Sequence, residues 1–334
     1  MRERVLSGMR PTGALHLGHY HGALKNWVQL QHQYDCFFVV ADWHALTTAD
    51  NRGAHLEHHV YDMVVDWLAA GVDPDKATLF IQSRLPEHAE LFTLLAMSTP
   101  MSWLERTPAY KDRLSQGQDA DATSYGFLGY PLLQAADILV YRAAWVPVGE
   151  DQAPHVELTR QVARRFNHLY GREGHKTPLL EPQLLLTDTA RLPGLDGQKM
   201  SKSLGNSIAM RDEPEAVRDK LRRMPTDPQR VHRRDPGEPE RCPVWPLHQL
   251  YTDEGERQTL TQGCRTAGIG CLDCKQPLID AIVREQAPWR ERAQAVLDNP
   301  RQVHWMVELG CERARTIARQ TLKEVRETMG LHYG

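Results

Sequence analysis

Residues 5–20 read VLSGMRPTGALHLGHY, and this stretch decides the fold. Val5, Leu6 and Ser7 are typical of a short strand that ends at Gly8, and a helical pattern opens near Gly18. A loop rich in glycine and histidine therefore lies between a strand and the start of a helix. In an open α/β sheet, unpaired N–H groups at such a helix start favour phosphate. The stretch predicts an α/β fold with a phosphate-binding loop, although such a loop alone is a weak signal.

The alternation of strands and helices continues beyond this loop. The further strands are predicted at residues 36–41, 77–81, 145–148 and 183–186. The helices are predicted at residues 18–31, 56–70, from 87 onward, 130–141 and 150–170. Strand–helix–strand order of this kind predicts a doubly wound parallel sheet. The remainder carries helical patterns broken by prolines, so we expect an α/β domain over residues 1–185 and an α-helical domain over residues 186–334.

Charge and composition exclude several classes of protein. The 334 residues include 40 lysines and arginines against 43 aspartates and glutamates, a net charge of −3, which excludes a polyanion binder that works by bulk charge. Two local basic regions remain as places where RNA could bind. They are residues 218–234, with seven basic against two acidic residues, and a helix bearing Arg313, Arg315, Arg319, Lys323 and Arg326. We find no apolar run long enough for a membrane span and no secretory signal, and expect a cytoplasmic protein.

A second candidate phosphate site lies at residues 199–203, which read KMSKS. The preceding residues, 193–197, read PGLDG, a composition typical of a mobile loop. Lysines on such a loop suit a leaving phosphate group whose negative charge grows in the transition state. By itself, the segment could equally be a basic surface loop.

Together, the two segments resemble the signature motifs of the class I aminoacyl-tRNA synthetases. Residues 16–19 (HLGH) resemble the HIGH motif, and residues 199–203 match the KMSKS motif letter for letter. The blocks at residues 7–13, 149–152 and 157–160 are similar to those of the tryptophanyl-tRNA synthetases. The resemblance covers nearly the whole chain. It implies a Rossmann-like catalytic domain, a helical domain that binds the tRNA anticodon, and a homodimer. It further implies that tryptophan is activated with ATP and Mg²⁺ and then transferred to tRNA(Trp).

The resemblance also implies roles for individual residues. The residues expected to bind ATP are Arg10, His16, Gly18, His19, Lys111, Gly149, Asp151, Lys199, Met200, Ser201 and Lys202. Those expected to act in catalysis are His16, His19, Lys199 and Lys202. Those expected to bind tryptophan are His44, Tyr130, Gln134, Asp137 and Gln152. In the family, the aspartate that matches Asp137 accepts the indole N–H, so an amino acid without that donor is penalised.

Two alternatives for the function stay open at this stage. Many bacterial tryptophanyl enzymes carry a methionine where Gln134 stands, and Tyr130, Gln134 and Asp137 together also resemble the pocket of archaeal-type tyrosyl enzymes. The blocks after Val148 and the chain length favour tryptophan. The other alternative is a synthetase-like protein that binds nucleotide and RNA without charging tRNA.

Four of the six cysteines crowd into one segment. Cys242, Cys264, Cys271 and Cys274 follow the pattern C-x21-C-x6-C-x2-C. Four such thiols in a cytoplasmic protein more often bind a metal than pair. A subset of bacterial tryptophanyl-tRNA synthetases carries a [4Fe–4S] cluster on a nearly identical pattern, and the resemblance implies one here, with zinc or no metal as alternatives. We expect the metal to support the surface that meets the anticodon.

Overall fold

The five described strands form one parallel sheet. The computed structural model describes residues 2–47, 55–115, 124–149, 152–171, 178–186, 192–202 and 204–332. The strands are β1 (Arg4–Met9), β2 (Asp35–Val40), β3 (Ala77–Ile81), β4 (Trp145–Val148) and β5 (Gln183–Leu186). Their spatial order is β3-β2-β1-β4-β5, and every neighbouring pair is parallel. The predicted doubly wound sheet is confirmed, and its strand order reverses between β1 and β4.

Helices cover the sheet and make up most of the second half of the described chain. In the first half they are α1 (Leu17–His19), α2 (Lys25–Leu30), α3 (Asp42–Leu46), α4 (Leu56–Ala70), α5 (Glu87–Ala96), α6 (Met101–Glu105), α7 (Pro108–Ser115), α8 (Tyr125–Val140) and α9 (Ala153–Tyr170). In the second half they are α10 (Pro214–Arg223), α11 (Trp245–Tyr251), α12 (Glu254–Arg265), α13 (Cys271–Leu297) and α14 (Pro300–Thr328). A π-helical turn, Tyr20–Leu24, joins α1 to α2.

Helix α8 differs most from its prediction. It begins five residues before the expected start at Tyr130 and runs through Pro131. The hydroxyl of Ser124 caps its first turn by accepting the N–H of Phe127 at 3.2 Å. A proline disfavours helical backbone in the residue before it, so the sequence pattern placed the start too late. The short helices α6 and α7 were not predicted, because one or two turns show no clear period.

The core lies in the central strands and the helices packed on them. Strands β2 and β3 are almost wholly apolar and buried, as expected of parallel strands covered on both faces. The ring of Trp27 stacks on Phe38 with centroids 4.2 Å apart, which fixes α2 on β2. Among the residues that the structure describes, none of the helices is long and apolar enough to cross a bilayer.

The C-terminal helix α14 packs directly on the sheet. At Gly310 it passes so close to β3 that an added Cβ atom would lie 1.8 Å from the carbonyl oxygen of Leu79. The basic side chains of α14 also turn toward the first half of the chain. Their contacts there are Arg315 with the carbonyl of Arg84, Arg319 with Glu87, and Arg326 with Glu90. Part of the positive charge of this helix is therefore paired with the acidic side chains of α5, and its role as a place where RNA could bind stays a prediction.

This close approach makes a stability prediction. Gly310→Ala should lower the free energy of unfolding by about 1–3 kcal/mol, the usual cost of overpacking, because α14 must move away from β3. Gly255→Ala is the matched control, since Gly255 lies exposed in α12 and its added Cβ would meet only ordinary contacts. Denaturant unfolding of both variants measures the difference. Equal stability of the two variants would contradict the packing described.

Candidate active site at the strand-order reversal

A cavity of about 770 Å³ opens where the strand order reverses. Residues 7–10, at the end of β1, and residues 146–149, at the end of β4, line its two sides. Ligands of doubly wound sheets bind at this place, outside the carboxyl ends of the strands. The sheet therefore positions the cavity, and the loops and helices that follow the strands supply its side chains.

All five residues expected to bind tryptophan line this cavity. They are His44, Tyr130, Gln134, Asp137 and Gln152. The rings of His44 and Tyr130 meet edge to face with centroids 6.3 Å apart, and Trp27 and Phe127 add apolar surface. A pocket that combines aromatic walls with a few polar groups suits a flat ligand that carries hydrogen-bonding atoms.

The Asp137 carboxylate lies buried in the wall of this cavity and is held by three side chains. His44 Nε2 donates to Oδ2 at 2.8 Å, and His88 Nδ1 donates to Oδ1 at 2.6 Å. The Gln82 amide donates to both oxygens at 2.9 Å. Burial opposes ionisation, but the hydrogen bonds from His44 and His88 outweigh it and lower the pKa of Asp137 to about 2. A charged acceptor is therefore maintained in an apolar cavity.

Gln82 and His88 were not singled out from the sequence, and neither lines the cavity. A signal for His88 was present. It begins a helical stripe that continues with Leu91 and Leu95, and all three are buried. A histidine on the apolar stripe of a helix has a buried partner more often than not, but the sequence does not say that the partner is Asp137.

The HLGH segment forms a compact pair of imidazoles. The rings of His16 and His19 lie 3.7 Å apart, and the backbone N–H of His16 donates to His19 Nδ1 at 3.2 Å. Burial, with Lys202 nearby, lowers the pKa of His16 to about 4 and that of His19 to about 2, so both are neutral at pH 7. A Cβ atom at Gly18 would lie 3.0 Å from the His16 ring, so a larger residue there would have to displace that ring. These rings offer N–H groups to an anion.

The KMSKS segment lies against the same loop. Lys202 Nζ donates to the carbonyl of Gly13 at 2.6 Å, and burial lowers the pKa of this lysine to about 8. Asn206 makes two hydrogen bonds to the backbone of this segment. Its side-chain oxygen accepts the N–H of Ser201 at 2.7 Å, and its amide donates to the Lys199 carbonyl at 3.1 Å. Asn206 is buried and was not singled out from the sequence.

The chain that follows KMSKS also holds the HLGH segment. The Leu17 N–H donates to the Ile208 carbonyl at 3.0 Å, and the Met210 N–H donates to the Leu15 carbonyl at 2.9 Å. Asp66 of α4 accepts the Leu15 N–H at 2.9 Å and Arg211 Nε–H at 2.6 Å. Both candidate phosphate segments are thus held to one scaffold. Asp66 was missed, although its place on the buried face of α4 was visible.

The remaining ATP candidates fall into four groups. Arg10 and Gly149 line the large cavity, and Met200, within the KMSKS segment, is buried. Lys111 and Lys199 are exposed; Lys111 does not line the cavity, although its neighbour Asp112 does. Asp151 lies outside the described residues.

The four clustered cysteines share a small second cavity. Cys242, Cys264, Cys271 and Cys274 line a space of about 30 Å³. All are free thiols, and Arg230 donates to the Cys264 sulfur at 4.0 Å. Within the described ranges, no group of three or more His, Cys, Asp or Glu side chains is arranged so that it could hold a metal ion. The residues share one place, but their present arrangement is not a formed coordination site.

The basic stretch beside this cavity is partly neutralised. Lys220 pairs with Asp212, and Arg230 is buried and donates to the backbone carbonyls of Arg233 and Ile269. The arginines of the stretch that are exposed are Arg222, Arg223, Arg233 and Arg234. Fewer positive charges therefore face solvent than the sequence count indicated.

The Asp66 contact generates a prediction about local order. Asp66→Asn weakens a charge-assisted hydrogen bond worth about 1.5–3 kcal/mol, so the Leu15 amide should exchange its hydrogen about tenfold faster or more. Asp62→Asn is the control, because Asp62 also pairs with Arg211 but does not contact Leu15. Hydrogen exchange by mass spectrometry measures both variants. An unchanged Leu15 amide in Asp66→Asn would refute this role.

Comparisons with known proteins agree with this geometry. The family model described as tRNA synthetases class I (W and Y) matches residues 2–285. Tryptophan–tRNA ligases from Ralstonia nicotianae and Thermotoga maritima are 53% and 47% identical, and each alignment covers at least 99% of both chains. A Campylobacter jejuni tryptophanyl-tRNA synthetase, solved with ADP and tryptophan, has a TM-score of 0.85 at 32% identity, covering 98% of this chain and 100% of that one. The chain therefore belongs to the tryptophan–tRNA ligases of the class I synthetase family.

Proposed function

We propose that this chain activates L-tryptophan with ATP and then transfers it to tRNA(Trp). The observation that carries the proposal is the cavity at the strand-order reversal. Both the Asp137 carboxylate and the end of β1, which leads to the HLGH loop, line this cavity. The similarity to tryptophan–tRNA ligases over almost the whole chain supports the same substrate.

Selection of tryptophan is proposed to depend on Asp137. The carboxylate is ionised and buried, and among its described partners only His44 also lines the cavity. The indole N–H would take over the bond that His44 makes to Oδ2. An amino acid without this N–H leaves a buried carboxylate short of a donor, which costs about 1–3 kcal/mol or more. Tyr130 and Gln152 would bind the α-amino group, and Gln134 would border the indole.

The activation step needs little covalent work from the protein. The tryptophan carboxylate attacks the α-phosphorus in line and pyrophosphate leaves, so positioning and charge stabilisation dominate. His16, Gly18 and His19 would bind the phosphates, and Lys199, Ser201 and Lys202 would follow the departing pyrophosphate. Further contacts are proposed for Arg10, Lys111, Gly149, Asp151 and Met200. Mg²⁺ bound to the phosphates would neutralise part of their charge.

The rest of the chain is assigned to tRNA. We infer a catalytic domain over residues 1–185 and a helical domain over residues 186–334 that binds the anticodon. The exposed arginines at 222, 223, 233 and 234 supply the positive surface that RNA needs. The activity implies a cytoplasmic enzyme, and the family resemblance favours a homodimer.

The four clustered cysteines are proposed to hold a [4Fe–4S] cluster, with zinc as the alternative. The donor set fits, because four thiols share one cavity, and Arg230 and the buried Lys275 at its wall can offset negative charge. The group would join the segment around Cys242 to α12 and α13. Its place beside the exposed arginines supports a structural role at the RNA surface.

Pyrophosphate exchange tests the function directly. Exchange should require tryptophan, with tyrosine giving a rate near that without amino acid. Dependence on tyrosine would favour the tyrosyl alternative. No exchange with either amino acid would favour the non-charging alternative.

Lys202 carries a prediction of its own. Lys202→Ala should lower the exchange rate constant by about 100-fold, as is typical of a lost transition-state contact, while tryptophan binding stays near normal.

The pKa of Lys202 is lowered to about 8, so its charge is present below that pH and lost above it. The apparent affinity of the wild-type enzyme for ATP should therefore fall above about pH 8, as the lysine loses its proton. Lys202→Arg stays charged and should lack this fall. An unchanged exchange rate in Lys202→Ala would exclude the role.

Iron, sulfide and zinc analysis of anaerobically purified protein identifies the metal. About four iron and four sulfide per chain are expected, as for one [4Fe–4S] cluster. Cys264→Ser should lose most of the iron, whereas the control Cys311→Ser, which changes a buried cysteine that does not line the cavity, should keep it. Stoichiometric zinc without iron would contradict the cluster.

A further inference from the structure

We propose that His88, oriented by Tyr141, is a positioning residue for tryptophan selection: it fixes the Asp137 carboxylate in one rotation and one charge state. The inference deepens the proposed function and rests on it, because it assumes that Asp137 accepts the indole N–H. His88 does not line the cavity, so its action on the substrate is through Asp137 alone.

The hydrogen-bond chain has a defined direction. Tyr141 is fully buried, and burial raises the pKa of its hydroxyl well above the usual range, so the hydroxyl keeps its proton. It can donate that proton to His88 Nε2, which lies 2.6 Å away. The His88 proton then stays on Nδ1 and is donated to Asp137 Oδ1 at 2.6 Å. An ionised carboxylate fits this chain because it can only accept.

The surroundings hold the chain in place. The Tyr141 ring packs against Phe37 of β2 and Phe80 of β3, with centroids 5.2 and 5.1 Å apart. His88 has no exposed surface. Neither ring can turn without disturbing the central strands of the sheet, so the donor that faces Oδ1 is fixed by the core.

The Asp137 carboxylate is therefore fixed by partners outside the cavity and can still accept a hydrogen bond from a ligand inside it. His88 and Gln82 bind it from outside the cavity, whereas His44, its third described partner, lines the cavity. A ligand N–H that displaces His44 leaves the other bonds intact. Without the His88 donor, the carboxylate could rotate or take up a proton. A protonated carboxyl can itself donate, so it would no longer discriminate against a ligand without an N–H.

The test compares tryptophan with benzothienylalanine, in which sulfur replaces the indole N–H. Pyrophosphate exchange gives KM and kcat for each amino acid with wild type, His88→Leu, His88→Asn and Tyr141→Phe. His88→Leu should lower the preference for tryptophan over the analogue by about tenfold, mainly through a higher KM for tryptophan. The KM for ATP should stay the same. His88→Asn should recover most of the preference, since its amide N–H can occupy the place of Nδ1–H.

Tyr141→Phe leaves His88 free to change tautomer and should lower the preference by an intermediate factor. Gln31→Leu is the control for general destabilisation, because Gln31 is buried and hydrogen-bonded but does not line the cavity. It should lower the melting temperature and leave the preference unchanged.

An unchanged preference in both His88→Leu and Tyr141→Phe would overturn the proposal, as would equal losses in His88→Leu and His88→Asn. If His88→Leu does not fold, Tyr141→Phe and His88→Asn decide: an unchanged preference in Tyr141→Phe, or a full loss in a folded His88→Asn, overturns it. The wild-type measurements alone test the proposed function. Wild-type enzyme that activates tryptophan, together with variants that keep its preference, would refute only the role of His88.

Discussion

The bond from the Leu15 N–H to the Asp66 carboxylate is the constraint on which the active site depends. A buried carboxylate is costly unless it is paired, and Asp66 is almost fully buried. Burial raises its pKa to about 6, against the opposing effects of Arg211 and the Leu15 N–H. Its two partners flank the two candidate phosphate segments: Leu15 directly precedes His16, and Arg211 follows the KMSKS segment. The two segments can satisfy this carboxylate only when they lie side by side.

The sheet positions the cavity, and the Asp66 contact positions the phosphate segments beside it. The strand order places the ends of β1 and β4 around one cavity, and α8 brings Asp137 into its wall. The Asp66 contact then holds the HLGH segment, which follows β1, near Lys202. Amino acid and ATP phosphates would therefore meet at one edge of the sheet, as direct attack of a carboxylate on phosphorus requires. The arrangement that the activation step needs therefore follows from the strand order of the sheet together with the contacts of the buried Asp66 carboxylate.

Local patterns in the sequence were enough for the strands and for the two motifs. Continuous apolar runs such as residues 36–41 predict buried strands without knowledge of their neighbours. Side-chain contacts between separate segments could not be predicted. Asp66, His88 and Asn206 act through partners between five and more than 140 residues away, and no spacing rule reveals them. The ion pairs of α14 could not be predicted for the same reason, since the acidic partners of Arg319 and Arg326 lie in α5.

Charging of tRNA(Trp) tests the central claim most directly, because it requires the cavity, both phosphate segments and the helical half of the chain in one reaction. With ATP and a mixture of tryptophan and tyrosine, the account predicts that tryptophan accumulates on tRNA(Trp) and that tyrosine does not. Tyrosine on the tRNA, or tryptophan activated without any transfer to the tRNA, would contradict it.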